Sequence, residues 1–390
     1  MPIWRSRTAP CASPLGPSRS SPCCWRRASR ERIRDLALDE LRDRINGLDQ
    51  EIVRLLDERA RVSLQVAEEK RTSGDAAVYY RPEREREVLE RVAGLSTGVL
   101  PTESLRAIYR EIISASRELQ RHHVVAYFGA PASFTHAAAL RHFGRQCEFT
   151  AIADIQGIFS AVERGAANFG VVPIENSTEG IIPGTLDQFV NSPVKIVAET
   201  YMEIHHNIMA NCALGEVETV YSHPQPLAQC QAWLRRSLPE ARLVEVSSTP
   251  HGAQAAKEDP TGAAIATKLA ADLFQLTILE ERIEDYAINR TRFWVLGRET
   301  PEPSGRDKTS LLFSTRHESG SLFRSLEAFA AHRVNLTLIQ SRPTKHTAWE
   351  YVFFIDFHGH PDQENVQEAM RELERNSVFV RVLGTYPEAV

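Results

Sequence analysis

The chain has 390 residues, 42% hydrophobic and 25% charged, which is enough for two to four domains with their own cores and excludes a mini-protein. No uninterrupted apolar run approaches the roughly 18 residues of a membrane-spanning helix, so an integral helical membrane protein is excluded as well. Formal charge is −5, but residues 1–30 hold six arginines and no acid, leaving 40 basic against 51 acidic residues in the remainder, a composition that argues against nucleic acid as the main partner.

Residues 1–30 mix Arg, Ser, Pro and Cys without periodicity and read as a disordered tail, because they cannot bury enough apolar surface to offset ordering entropy. An apolar signal-peptide core is missing. The Arg- and Ser-rich, acid-free composition resembles an organelle transit peptide, while a dispensable extension or an over-called start codon is the simpler reading. Cys11, Cys23 and Cys24 fall in this tail, and Cys147, Cys212 and Cys230 are widely spaced with no CxxC pair, a pattern of reduced, cytoplasmic usage. His122-His123 and His205-His206 are adjacent pairs that cannot share a helix face. Neither a metal nor any other cofactor is expected, and no Gly-rich phosphate loop points to a nucleotide.

Next comes a helical domain, residues 36–121. Leu41, Ile45, Leu48, Ile52, Leu55, Val62 and Val66 recur in steps of four and three, apart from one interruption, which predicts a long amphipathic helix over residues 39–73. At 1.5 Å per residue it is roughly 50 Å long, more than the diameter of an 85-residue domain, so part of its seam needs a second chain or another domain; a dimer is expected. The interruption is Arg59, a cation on the seam that needs an anionic partner from protein or ligand. Lys70 lies within about 20° of Arg59 around the helix, whereas Arg42 is too far along it to join that site except from the partner of an antiparallel dimer. Two further helices are expected at 82–92 and 102–121. Arg54, Arg61 and Arg86 read as solvated helix-face charges.

Leu41-Arg42, Ile45, Leu48-Asp49, Glu58-Arg59, Lys70, Arg84-Glu85, Ser116 and Gln120 together resemble the all-helical chorismate mutase module at the front of bifunctional P-proteins. The resemblance implies an intertwined dimer in which Arg42 of the other chain, Arg59 and Arg84 hold the substrate carboxylates. It further implies that Lys70 and Gln120 hydrogen-bond the ether oxygen, that Glu85 binds the ring hydroxyl, and that Ser116 assists. The implied Claisen rearrangement needs no covalent intermediate, only clamping of a dianion and donors at the breaking C–O bond. Residues 72–77 lengthen the loop before Arg84 relative to the short-looped form of the module.

Residues 122–300 alternate strand, turn and helix, an α/β pattern. Polar clusters follow predicted strands at Glu175-Asn176-Ser177, Ser222-His223 and Ser248-Thr249, a fourth, Asn289-Arg290-Thr291-Arg292, precedes the strand expected at 293–296, and ligands collect at strand ends in open α/β sheets. His223 is a general base by residue type. The strings VVPIENSTEG, SHPQPLAQC and NRTRFWVLG resemble prephenate dehydratase, implying a two-lobed fold similar to periplasmic binding proteins with the active site in the cleft. Its reaction converts prephenate to phenylpyruvate with loss of carbon dioxide and water. Thr291 is the implied donor to the leaving ring hydroxyl, Arg292 secures a carboxylate, and Glu175, Asn176, Ser222, Gln229, Ser248 and Thr249 line the site. The first loop departs from the usual Gly-Pro-x-Gly: here it reads Gly129-Ala130-Pro131-Ala132-Ser133.

After a Pro- and Gly-containing linker, residues 307–387 give the order βαββαβ, a ferredoxin-like α+β unit. Gly320-Ser321-Leu322-Phe323, Asn335 and Gln340-Ser341-Arg342-Pro343 resemble ACT-domain motifs, implying feedback inhibition through bound L-phenylalanine. Ser321, Phe323 and Gln340 depart from the usual strings. Two other readings stand beside this one, an arogenate-preferring dehydratase and a non-catalytic amino-acid-sensing protein.

Overall fold

The computed structural model describes residues 23–72, 80–286, 288–343 and 351–389, with side chains from residue 38 onward. It divides into two compact units, Met1–Arg61 and Val62–Val390. Helix α1 (Cys23–Thr72) begins well before residue 39, so residues 23–30 of the expected tail are helical, and residues 1–22 lie outside the described ones. Lys70 and Arg71 in its last turn complement the partial negative charge of the terminal carbonyls. The loop expected at residues 72–77 falls, from residue 73 on, in residues 73–79, outside the described ones. In the first unit the predicted seam is present and exposed: Leu41 and Ile45 are each 56% accessible and Leu48 is 63%.

The second unit continues with α2 (Pro82–Gly94) and α3 (Thr102–Gln120), which pack on each other. Pro82 sits where a helix needs no backbone N–H donor. The two-lobed region follows as β1 (Val124–Phe128), α4 (Phe134–Phe143), β2 (Glu148–Ile152), α5 (Ile155–Glu163), β3 (Phe169–Asn176), β4 (Gly180–Ile181), α6 (Pro183–Phe189) and β5 (Lys195–Glu203). The second lobe holds β6 (Asn207–Ala210), β7 (Thr219–Ser222), α7 (Pro224–Gln229), α8 (Gln231–Ser237), β8 (Arg242–Glu245), α9 (Thr249–Glu258), β9 (Gly262–Ala266), α10 (Lys268–Phe274) and β10 (Thr277–Glu280). Strand β11 (Arg290–Gly297) then returns to the first sheet, whose order is β2-β1-β3-β11-β5, while the second sheet runs β10-β6-β9-β7-β8. The chain therefore crosses between lobes twice, and the last crossing places β11 antiparallel between β3 and β5.

The expected βαββαβ unit is β12 (Asp307–Thr315), α11 (Ser321–Ala331), β13 (Leu336–Pro343), β14 (Tyr351–His358), α12 (Glu364–Asn376) and β15 (Ser377–Pro387), with sheet order β13-β14-β12-β15. The linker before it does not hold it at a distance. Trp294, Leu296 and Ile196 of the first lobe share one apolar core with Leu312, Phe354, Leu383 and Tyr386. Trp294 is fully buried there, and truncating such a residue to Ala costs about 3–5 kcal/mol. A Cβ at Gly384 would overlap the Ile196 carbonyl, so only glycine lets β15 approach β5 this closely.

Candidate active sites

A cavity of about 820 Å³ lies between the lobes, and Asn176, Gln229, Ser248, Thr249 and Thr291 all line it. Strand register sets Thr291 opposite Asn176, whose Nδ2 donates to Thr291 Oγ1 at 2.9 Å and to Asn289 Oδ1 at 2.8 Å. The Asn176 Oδ1 accepts from the backbone N–H of Thr178 at 3.0 Å and from its hydroxyl at 2.5 Å, so both ends of the amide are fixed. Because Thr291 Oγ1 serves as an acceptor for Asn176, its own hydroxyl hydrogen is available to a ligand. Gln229 Oε1 accepts from Asn289 Nδ2 at 3.0 Å and from His206 Nε2 at 2.8 Å. Burial lowers the His206 pKa against the opposing pull of that hydrogen bond, which keeps the ring neutral with its proton on Nε2.

Helices α4 and α9 start at the cavity. Their caps, Ser133 and Ser248, accept from His136 N and His251 N, and their first turns present partial positive charge to it. Among the described lining residues there is no Lys, Arg, Asp or Glu. An anion in this cleft therefore meets helix N-termini and imidazoles, not arginine. In the altered first loop Ala132 adopts φ 65°, a left-handed conformation that suits the glycine usual there.

The structure does not bring Arg292, Glu175 or Ser222 to this cavity. Successive strand residues face opposite sides, so with Thr291 and Asn176 turned to the cleft, Arg292 and Glu175 turn away. Arg292 is buried against Glu199 and Asp356. Ser222 Oγ donates to the Ile265 carbonyl at 2.7 Å and ties two strands together. No local pattern marks His206, whose neighbour His205 gives only an adjacent pair, and Asn289 carries no role in the sequence beyond its polar cluster.

In the helical part, Arg42 and Arg59 lie on α1 in the first unit; Arg42 is exposed with its Nη1 3.0 Å from Asp39 Oδ1, and Arg59 is half-buried. In the second unit Lys70 ends α1, Arg84 pairs with Glu87 at 2.7 Å, Ser116 Oγ donates to the Ile112 carbonyl at 2.7 Å, and Gln120 ends α3. Glu85 accepts from Arg117 Nη1 at 2.6 Å. Arg117, which sequence reading passed over, is 4% exposed, donates to the Phe143 carbonyl at 2.5 Å and lies over the Tyr80 and Phe143 rings. Burial works against its charge, and the Glu85 carboxylate, Cys147 and Tyr80 together outweigh burial and raise its pKa. Arg86 is not the solvated residue expected: its side chain is 17% exposed and donates to the Glu388 carbonyl at 3.0 Å, because α2 packs on the end of β15.

In the C-terminal unit Gly320, Ser321 and Leu322 line a cavity of about 630 Å³. Gly320 has φ 79° at the start of α11, a conformation that favours glycine. The second string is not brought there. Gln340, Ser341, Arg342 and Pro343 lie in β13, where Arg342 Nη2 pairs with Asp187 of α6 at 2.9 Å, and Asn335 Nδ2 lies 3.5 Å from His358. Among the described residues no His, Cys, Asp or Glu group is placed to hold a metal ion, and no helix is long and apolar enough to cross a membrane.

The profile of chorismate mutase type II matches residues 41–121, that of prephenate dehydratase 125–301, and that of the ACT domain 309–375. A bifunctional chorismate mutase/prephenate dehydratase of Aquifex aeolicus is 44% identical over 90% of this chain and 98% of that protein. One from Pseudomonas aeruginosa is 41% identical with the same coverage. Among solved structures, a prephenate dehydratase from Arthrobacter aurescens in complex with L-Phe aligns with TM-score 0.64 at 32% identity, over 68% of this chain and 90% of that one.

Proposed function

The chain belongs to the bifunctional chorismate mutase/prephenate dehydratase family, and we propose that it converts chorismate to prephenate and then prephenate to phenylpyruvate, in the cytoplasm, as a homodimer subject to feedback by L-phenylalanine. The observation that carries the dehydratase reading is the Asn176 amide fixed against Thr291 Oγ1 in the cleft. In that reaction the bond from the ring to its carboxylate breaks and carbon dioxide leaves. The released electron pair aromatises the ring and expels the hydroxyl on the opposite carbon, which departs as water with uptake of one proton. A threonine hydroxyl is a poor acid, so Thr291 acts by donating a hydrogen bond to the departing oxygen, oriented by Asn176. The N-termini of α4 and α9 hold the remaining carboxylate charge.

For the mutase step, Arg59 and Arg84 with Arg42 of the partner chain bind the two carboxylates, Lys70 and Gln120 donate to the ether oxygen, Glu85 takes the ring hydroxyl, and Ser116 assists. Arg117 holds the Glu85 carboxylate in place. The exposed seam of α1 supports the dimer. L-Phenylalanine binds in the C-terminal unit at Gly320, Ser321 and Leu322, and Asn335 and Gln340–Pro343 are supplied from a second copy. The reading is tested with Thr291→Val, for which dehydratase kcat falls by about 10²-fold or more while mutase turnover stays at the wild-type rate. An unchanged dehydratase kcat overturns it.

A further inference from the structure

Behind Thr291, on the face of β11 turned from the cleft, four charged side chains meet between the dehydratase sheet and the ACT sheet. Arg292 Nε and Nη2 lie 2.8 and 2.7 Å from Glu199 Oε2 of β5. Its Nη1 is 2.6 Å from Asp356 Oδ2 of β14, and Nη2 donates to the Tyr386 hydroxyl of β15 at 3.1 Å. Lys308 Nζ and the Ala389 N–H both donate to Glu199 Oε1, at 2.9 and 3.1 Å, and Ser310 Oγ is 2.7 Å from Tyr386 OH. Arg292, Glu199, Asp356, Lys308 and Tyr386 are all buried.

Two cations and two anions balance, and burial makes each depend on the others. Burial raises the Glu199 pKa, but Arg292 and Lys308 outweigh it and hold the carboxyl ionised. Burial lowers the Arg292 pKa, and Asp356 first, then Tyr386 and Glu199, more than restore it. An apolar sheet-to-sheet contact tolerates small sliding, whereas here Nε and Nη2 on Glu199 Oε2 fix the guanidinium within the first lobe and its ion pair with Asp356 and hydrogen bond to Tyr386 reach across to the second sheet. The residue before Arg292 carries the hydroxyl at the cleft, so one peptide joins the anchor to the chemistry.

We propose that Arg292 is a positioning residue: by locking β11 to Asp356 and Tyr386 of the ACT unit it keeps Thr291 in register with Asn176, and it is the route by which the ACT unit acts on dehydration. This rests on the dehydratase reading of the cleft, and its regulatory limb rests on L-phenylalanine binding. A shift of β14 or β15 against β5 changes the Arg292 contacts, and through them bears on Thr291 one residue away.

The test uses the full chain with Tyr386→Phe, which deletes one hydroxyl, and Asp356→Asn, which keeps volume and removes charge. Dehydratase kcat falls by about tenfold, since small misplacement of a catalytic group is costly, with KM for prephenate within about twofold and mutase turnover unchanged. L-Phenylalanine binding by calorimetry stays at the wild-type level while the inhibition it produces at saturation shrinks by about twofold or more. Variants whose thermal midpoint drops but whose kcat and maximal inhibition match the wild type overturn the proposal, because a merely structural contact gives that result. Wild-type chain that fails to bind L-phenylalanine removes the feedback reading alone, and the kcat comparison still decides the positioning role. Wild-type chain without dehydratase turnover overturns both the cleft reading and this one.

Discussion

The interlobe cleft and helix α1 carry the residues for two different reactions, and they are built in opposite ways. In the cleft, Thr291 and Asn176 are each 7% exposed and every polar end of the Asn176 amide is hydrogen-bonded within the chain. On α1, which carries Arg42 and, on its apolar seam, Arg59, that seam is exposed, with Leu48 63% accessible. A site closed by its own chain has its geometry fixed on folding; a site on an exposed apolar helix acquires its geometry from whatever covers that helix.

Breaking the seam gives the largest effect. Leu48→Asp places a charge where the proposed partner helix packs; mutase kcat/KM falls by about 10²-fold and the chain elutes as a monomer, while dehydratase turnover stays within about twofold. Equal loss of both activities means the two sites share one determinant and removes the contrast.

Acid tests the buried side of the comparison. His142 of α4 is enclosed beside Tyr80, its Nε2 2.5 Å from Tyr80 OH, and burial first, then Arg117 and Arg110, push its pKa down to about 3. The unfolded chain binds a proton here below about pH 6.5 that the folded chain refuses, so stability is full above that pH and falls by about 1.4 kcal/mol per unit as pH drops toward the folded value. Denaturant titrations from pH 7 to pH 4 show this slope, and His142→Phe flattens it by about one proton. A slope unchanged in the variant assigns the acid sensitivity elsewhere.

The smallest effect is in the cleft loop. Ala132→Gly relieves a left-handed backbone and raises stability by about 1 kcal/mol, measured as a shift in denaturation midpoint, with dehydratase kcat unchanged. A destabilised variant shows instead that the added freedom of the unfolded glycine outweighs the strain.

Much of this was legible along the chain because the signals are local. The heptad and the Arg59 break need only helical period, and the βαββαβ order needs only alternation and turn residues; each reappears in the elements observed. Arg86 and Arg117 were not legible, because nothing local separates a solvated helix arginine from one that packs on β15 or Phe143. His206 was hidden for the same reason: its partner Gln229 is 23 residues away and belongs to another element.

Sequence alone determined the family, the three kinds of folding unit and the short strings in which Thr291, Asn176 and Gly320 sit, since these depend on residue type and near spacing. Tertiary structure decided which way each side chain faces. Thr291 and Arg292 are neighbours with period-two alternation, and only the position of β11 between β3 and β5, with a cleft on one face and the ACT sheet on the other, makes the first a reactive hydroxyl and the second a buried anchor. Charge has the same limit: the N-termini of α4 and α9 present partial positive charge to the cleft, and partial charges on oriented backbone exist only once the helices are aimed.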